Sequence, residues 1–190
     1  MALPTAPQRW TRNGFLVSTD KALLSISSIN SAFQQDFVYW TNAVSEDTLR
    51  QIVDNSFCLG LYKPIEPNSD NVASSTDQND KTPNGDTAAR TTNTSQIGFA
   101  RLITDNITFA YLTDLYVLPE YQGLGLGGWL VDCVGQLLEP LPYLRWTMLR
   151  TSMKKSQESY EKRLGMNVLK SGDISEGPVM MGKKGRGGQA

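Results

Sequence analysis

The chain has 190 residues, which suits one domain with a sizeable core spanning 1–190. Its 18 basic and 19 acidic residues leave a net charge of −1, so no electrostatic footprint for nucleic acid or an anionic membrane is present. No apolar run approaches a membrane span, and Met1 to Trp10 lacks the apolar stretch of a secretory signal. There is no histidine, and Cys58 and Cys133 are the two cysteines. Ser-His-Asp triads, Cys-His dyads, histidine-ligated zinc and four-thiolate metal sites are therefore excluded. Any proton transfer must use carboxylate, tyrosine, thiol, lysine or water. Reduced thiols in a cytosolic, or cytosolic and nuclear, protein are the expectation. A monomer or homodimer without nucleic-acid, membrane or metal partners goes with it.

In chain order, Phe15 to Thr19 reads as a first strand. Asp20 is placed to cap a helix reaching Ser31 or Phe33, with Ala22, Leu23, Ile26 and Ile29 on one side. Ser45 opens a second helix with Leu49, Ile52 and Val53 as its inner face. Ser56 to Tyr62 is a short strand. Residues 64–95 are built from Ser, Thr, Asn, Asp, Pro and Gln, with Ile65 and Val72 their only large aliphatics. Such a stretch buries too little apolar area to offset ordering entropy. It is expected to be a disordered insertion within a hairpin, at a closure cost that grows slowly with length.

Asp105-Asn106 is the turn between long strands Gln96–Thr104 and Ile107–Val117. A helix from Leu126 ends near Glu139, where Pro140 and Pro142 stop it. Leu144 to Thr151 is the next strand, and Ser156 to Leu164 a helix closed by Gly165. Late strands are expected at Asn167–Lys170 and Pro178–Gly182, then a flexible tail over 183–190.

The most informative stretch runs from Asp114 to Leu130. Pro119 ends a β-prone segment, and Gly123, Gly125, Gly127 and Gly128 follow at once. Glycines let backbone approach a ligand without a Cβ in the way. Free amides and the dipole at the start of the next helix favour an anion. The segment reads as a pyrophosphate cradle. The alternative is a glycine-rich turn serving packing alone.

Three phosphate-binding patterns compete for it. A Walker loop needs Lys-Ser or Lys-Thr after its last glycine, and here Trp129 follows Gly128. A dinucleotide fingerprint matches Gly123, Gly125 and Gly128, but Leu118 to Gln122 separate the strand from the first glycine. The acidic residue that fold needs about 20 residues on is also out of place, because Glu139 falls too early. The third pattern is Gln/Arg-x-x-Gly-x-Gly/Ala, supplied by Gln122, Gly125 and Gly127.

With Val117, Pro119, Glu120 and Tyr121 upstream, that third pattern resembles the acetyl-CoA loop of the GNAT superfamily of N-acyltransferases. Tyr160-Glu-Lys-Arg-Leu-Gly-Met166 is similar to the family's Tyr-Glu-Lys-x-Gly-Phe helix end, with one extra residue and Met166 in place of Phe. Gly98 to Asp105 and Phe109 to Val117 resemble its two long central strands. The runs Phe37-Val-Tyr-Trp40 and Asn55-Ser-Phe-Cys-Leu-Gly60 also have counterparts, so the likeness spans roughly residues 14–62 and 96–182. It implies an α/β (α+β) fold whose central, mixed, mostly antiparallel sheet is splayed at the acetyl-CoA site and flanked by helices.

The resemblance also implies roles. The backbone of Leu115, Tyr116 and Val117 would pair with the pantetheine arm, and the Val117 or Leu115 amide would stabilise the oxyanion. The loop Gln122, Gly123, Leu124, Gly125, Leu126, Gly127 and Gly128 would hold the pyrophosphate of the co-substrate acetyl-CoA. Ser156 is placed on the coenzyme side. Tyr160 would give a proton to the leaving sulfur, since a phenol's ordinary pKa near 10 lies above that of a thiol. A packing tyrosine is the alternative.

Asp114 sits in an otherwise apolar strand, out of phase with Leu115 and Val117. It reads either as the general base, with a raised pKa, or as an ion-pair partner of Arg101 or Arg145. Tyr111 and Glu120 are lesser candidates for the base. Phe33, Phe37, Tyr39 and Trp40 would wall the acceptor site, or serve as core. Cys133 reads as core. Together these imply an acetyl-CoA-dependent N-acetyltransferase acting on a small-molecule primary amine by direct attack in a ternary complex. The rivals are a protein lysine or N-terminal acetyltransferase, a non-catalytic acyl-CoA-binding module, and a dinucleotide binder.

Overall fold

The computed structural model describes residues 1–64 and 94–169. Among these residues it is one six-stranded sheet with strands in chain order, covered by helices on both faces. The strands are β1 (Arg9–Arg12), β2 (Phe15–Ser18), β3 (Phe57–Pro64), β4 (Thr94–Thr104), β5 (Phe109–Val117) and β6 (Trp146–Leu149). The helices are α1 (Ile26–Phe33), α2 (Glu46–Asp54), α3 (Leu126–Leu138) and α4 (Lys154–Leu164). Neighbouring strands are antiparallel except the last pair, β5 and β6, which is parallel. The mixed sheet expected from the sequence is therefore present.

Side-chain alternation along the strands makes two cores. On one face Leu59, Leu61, Ala100, Leu102, Ala110 and Leu112 meet Leu126, Leu130 and Val134 of α3. On the other, Cys58, Phe99 and Tyr116 meet Ile29 and Phe33 of α1 and Leu49 and Val53 of α2. Ser45 caps α2 by accepting from the Thr48 amide, as its position suggests.

The structure corrects several boundaries. Asp20 caps only the 3₁₀ turn Lys21–Leu23; α1 starts later, where Ser25 accepts from the Ser28 amide. Strand β1 was not expected. It forms a hairpin with β2 across Asn13-Gly14, both at positive φ. β5 begins at Phe109 rather than Ile107, because Asp105 Oδ1 accepts from the amides of Ile107, Thr108 and Phe109 and holds them in the turn. β6 is confined to Trp146–Leu149, and residues 167–169 form no strand. The expected strand at Pro178–Gly182, the tail over 183–190 and most of the 64–95 insertion lie outside the described residues. The two strands flanking that insertion pair as a hairpin, with Pro64 opposite Thr94.

Candidate active site

The site is built around a defect in β5. Phe99 pairs with Tyr116 and Arg101 with Thr113, so Ala100 alone faces both Asp114 and Leu115. That is a β-bulge. Asp114 takes the extra turn at φ +51°, a conformation open to aspartate but costly for most residues. One inserted residue reverses the phase of all that follow. Ala110 and Leu112 face α3, whereas Tyr116 is sent to the α1/α2 face, where Phe33 and Phe37 meet it edge-on.

The pairing to β6 ends at the same place. Phe109 to Leu112 pair with Trp146 to Leu149, and among the described residues β5 then runs on without a partner on that edge. The Leu118 amide donates to the Ile97 carbonyl of β4. N–H groups alternate along an extended chain, so the Val117 and Leu115 amides face the other, open edge. The Val117 carbonyl faces it too and accepts from Gln122 Nε2 at 3.0 Å. That bond ties the loop to the end of the strand.

From Gln122 the chain turns through Gly123 (φ +83°) and Gly125 (φ +73°) into α3. Gly125 is the N-cap, and the first amide with an intrahelical partner is that of Trp129, which donates to the Gly125 carbonyl. Among the described residues nothing accepts from the amides of Leu126, Gly127 and Gly128. These are the free donors of a helix N-terminus, and Leu124 beside them is exposed. A Cβ on Gly128 would lie 2.5 Å from Arg163 Nη2, so this glycine leaves room for that guanidinium against the first turn of α3.

Asp114 resolves one ambiguity of the sequence. Its Oδ2 accepts from Arg101 Nε at 2.7 Å, and Thr113 Oγ1 lies 3.2 Å from its Oδ1; Arg145 is not the partner. Arg101 also donates to Ser56 Oγ at 3.1 Å. The pair is largely buried, with the Asp114 residue 8% exposed.

Tyr160 is half-buried on α4 against the α3-side core. Burial, then the neighbouring Tyr39 phenol, raises its pKa, so it stays protonated at neutral pH. Tyr39 Oη lies 2.6 Å from Ser152 Oγ in the connection between β6 and α4. Its ring meets Trp40 edge-on at 5.2 Å. The segment 37–40 thus links Phe37, which packs on Tyr116 of β5, to Ser152 in the connection after β6. The Trp40 Nε1 atom is buried without a partner among the described residues. Ser156 is half-buried on α4, one turn before Tyr160. Phe33 is buried core, and Cys133 is fully buried with its thiol pushed up to about 12 by desolvation. A cleft of about 510 Å³ lined by Met153, Lys154, Gln157, Glu158 and Glu161 runs along a different face of α4. It shares Ser152 with the Tyr39 contact but includes neither Tyr160 nor any loop residue, so it is set apart from this site.

Two features were not singled out from the sequence. The Tyr39–Ser152 contact joins residues 113 positions apart and left no local signal. Arg12 reaches the loop only because β1 exists, and the Asn13-Gly14 dipeptide was the signal for that hairpin.

A mixed sheet whose parallel pair is short, a bulge where that pairing ends and a glycine loop feeding free helix amides make the arrangement that the sequence resemblance implies. The comparisons agree. The family model described as Acetyltransferase (GNAT) family matches residues 56–166. A Gibberella zeae protein named "Putative acetyltransferase FG08082" is 37% identical over 185 residues, 97% of each chain. A Xanthomonas campestris crystal structure, described as belonging to the GNAT family, is 26% identical with a TM-score of 0.58, covering 91% of this chain and 94% of that one. Arabidopsis thaliana NAA60, solved with a bisubstrate analogue, shares the fold at 12% identity and a TM-score of 0.51, covering 76% of this chain and 79% of its own. The chain belongs to the GNAT acetyltransferase family.

Proposed function

We propose that the protein transfers the acetyl group of acetyl-CoA to the primary amine of a small molecule, by direct attack in a ternary complex. The observation that carries this reading is the open edge of β5. Beyond Leu112 it has lost β6, presents the Leu115 and Val117 amides, and leads into a loop with unpaired helix-start amides. The residues fit acetyl-CoA as co-substrate. Leu115, Tyr116 and Val117 offer a strand edge to the pantetheine amides. Gln122 to Gly128 offer backbone donors to the pyrophosphate, and Ser156 borders the coenzyme on α4. The Val117 or Leu115 amide would stabilise the oxyanion as the amine adds to the thioester carbon. As the carbon–sulfur bond breaks, the Tyr160 phenol would protonate the thiolate. Its raised pKa keeps that proton in place until then.

On the acceptor side, Phe37, Tyr39 and Trp40 roof the gap between β5 and β6. The Tyr39–Ser152 contact closes that roof, which supports a small amine over an extended peptide. Of the two roles open to Asp114, its engagement by Arg101 and Thr113 favours holding the bulge over taking the amine proton. Water is then the carrier of that proton.

The test is a thermal-shift titration with acetyl-CoA, CoA and NAD, followed by a thiol-release screen against small amines and peptides. A ligand at 100 times its dissociation constant adds roughly 2.7 kcal/mol, about 5 to 10 °C in midpoint for a chain of this size. Shifts with the two coenzyme A species and turnover of small amines are expected. A shift with NAD alone refutes the coenzyme, and faster turnover of peptides refutes the acceptor class. Tyr160→Phe should lower kcat by about 10²- to 10⁴-fold with little change in acetyl-CoA affinity.

A further inference from the structure

Four cations lie near the loop or the hairpin beside it, and three of them are engaged. Arg163 Nη1 donates to both carboxylate oxygens of Asp132, at 2.6 and 2.7 Å. Arg9 Nη2 pairs with Asp20 at 3.3 Å. Lys63 lies over the Tyr121 ring with Glu120 nearby. Arg12 differs. Among the described residues it has no carboxylate partner, and it is exposed. Its Nη2 lies 3.6 Å from where a Cβ would stand on Gly125, the N-cap of α3. Its guanidinium carbon lies 5.9 Å from the centroid of the Trp129 ring.

We propose that Arg12, carried on the N-terminal hairpin, binds a phosphate of coenzyme A beside the free amides of α3. The inference rests on the coenzyme reading above. Two physical facts point to it. The guanidinium is oriented against the Trp129 ring before any ligand arrives, so less rotamer entropy is lost on binding. Its fork of donors is uncommitted and matches phosphate oxygens. The hairpin is itself anchored for the purpose, because Trp10 Nε1 donates to Gln136 Oε1 on α3 at 2.9 Å. Arg12 therefore acts as a binding residue for the co-substrate, not a catalytic one.

The experiment titrates coenzyme A, dephospho-coenzyme A and pantetheine into the full chain and its R12Q and R12K variants by calorimetry. R12Q should bind coenzyme A about tenfold more weakly, with R12K between it and the wild type. If the partner is the 3′-phosphate, the loss disappears with dephospho-coenzyme A. If it is the pyrophosphate, the loss persists there and disappears with pantetheine. The ligand-free midpoint of R12Q should stay within about 2 °C of wild type, as for other surface substitutions. Unchanged coenzyme A binding by R12Q, or an equal loss on all three ligands, overturns the role of Arg12 alone. A wild type that binds none of the three overturns the coenzyme reading and this inference together.

Discussion

From Phe109 to Leu112, β5 is paired on both edges, to β4 and to β6; from Asp114 to Val117 it is paired, among the described residues, on one. The first half is ordinary sheet. Ala110 and Leu112 are buried under α3, and Asp105 organises the turn that starts it. The second half gives up a neighbour, takes a residue at positive φ and shifts phase, so Tyr116 enters the opposite core while Val117 joins the α3-side one. Under the proposed function, the contrast teaches that one strand can carry stability and ligand recognition in separate segments, with a single inserted residue dividing them.

The sharpest way to break that division is Val117→Pro. Its amide faces the open edge, where a proline is tolerated because no ladder bond is lost. If this amide meets the oxyanion, kcat of the folded variant should fall about 10²- to 10³-fold, while the midpoint drops by the few degrees that trimming the buried Val117 side chain costs. Unchanged turnover would shift the role to Leu115, for which L115P is the matching variant. Leu112→Ala makes the opposite test. It should cost about 3 kcal/mol of stability, read by urea unfolding, yet leave coenzyme affinity of the folded protein unaltered. A parallel loss of affinity would show that the halves are not separable.

Asp114→Asn probes the boundary itself. Leaving Arg101 half-buried without its counter-charge should cost about 2 kcal/mol, with kcat within a few-fold of wild type. A collapse of kcat together with loss of the acidic limb of the rate profile would instead make Asp114 the base. The smallest effect belongs to Asp105→Asn. Four hydrogen bonds to its carboxylate, led by the Thr108 hydroxyl, hold its pKa far below the ordinary carboxylate value. A depressed pKa stabilises the fold at neutral pH, and that contribution fades as pH falls below the ordinary value near 4. The variant should lack that part of the acid sensitivity in a midpoint-against-pH series.

Much of this was legible because it is local. The glycine loop, the Ser45 cap, the Asp105-Asn106 turn, the stop at Pro140 and the closing Gly165 are each set within a few residues. The bulge was not. Ala110, Leu112, Asp114 and Tyr116 alternate without a break in the sequence, and only pairing with β4 reveals that Tyr116 has changed face. The Arg101–Asp114 pair was legible only as an alternative, because strand register selects it over Arg145. The first hairpin escaped because Arg9 to Arg12 is polar and mostly exposed, so its apolar pattern is faint. Neither the Tyr39–Ser152 contact nor the place of Arg12 can be read without the fold, since each joins segments distant in sequence.

The pairing of Pro64 with Thr94 has a consequence of its own. Strands β3 and β4 end side by side, so the length of chain spliced between them is free of the sheet's register. The same freedom makes it a port for engineering: a two-residue turn, an affinity handle or a folded reporter can be grafted there while the catalytic scaffold keeps its alignment.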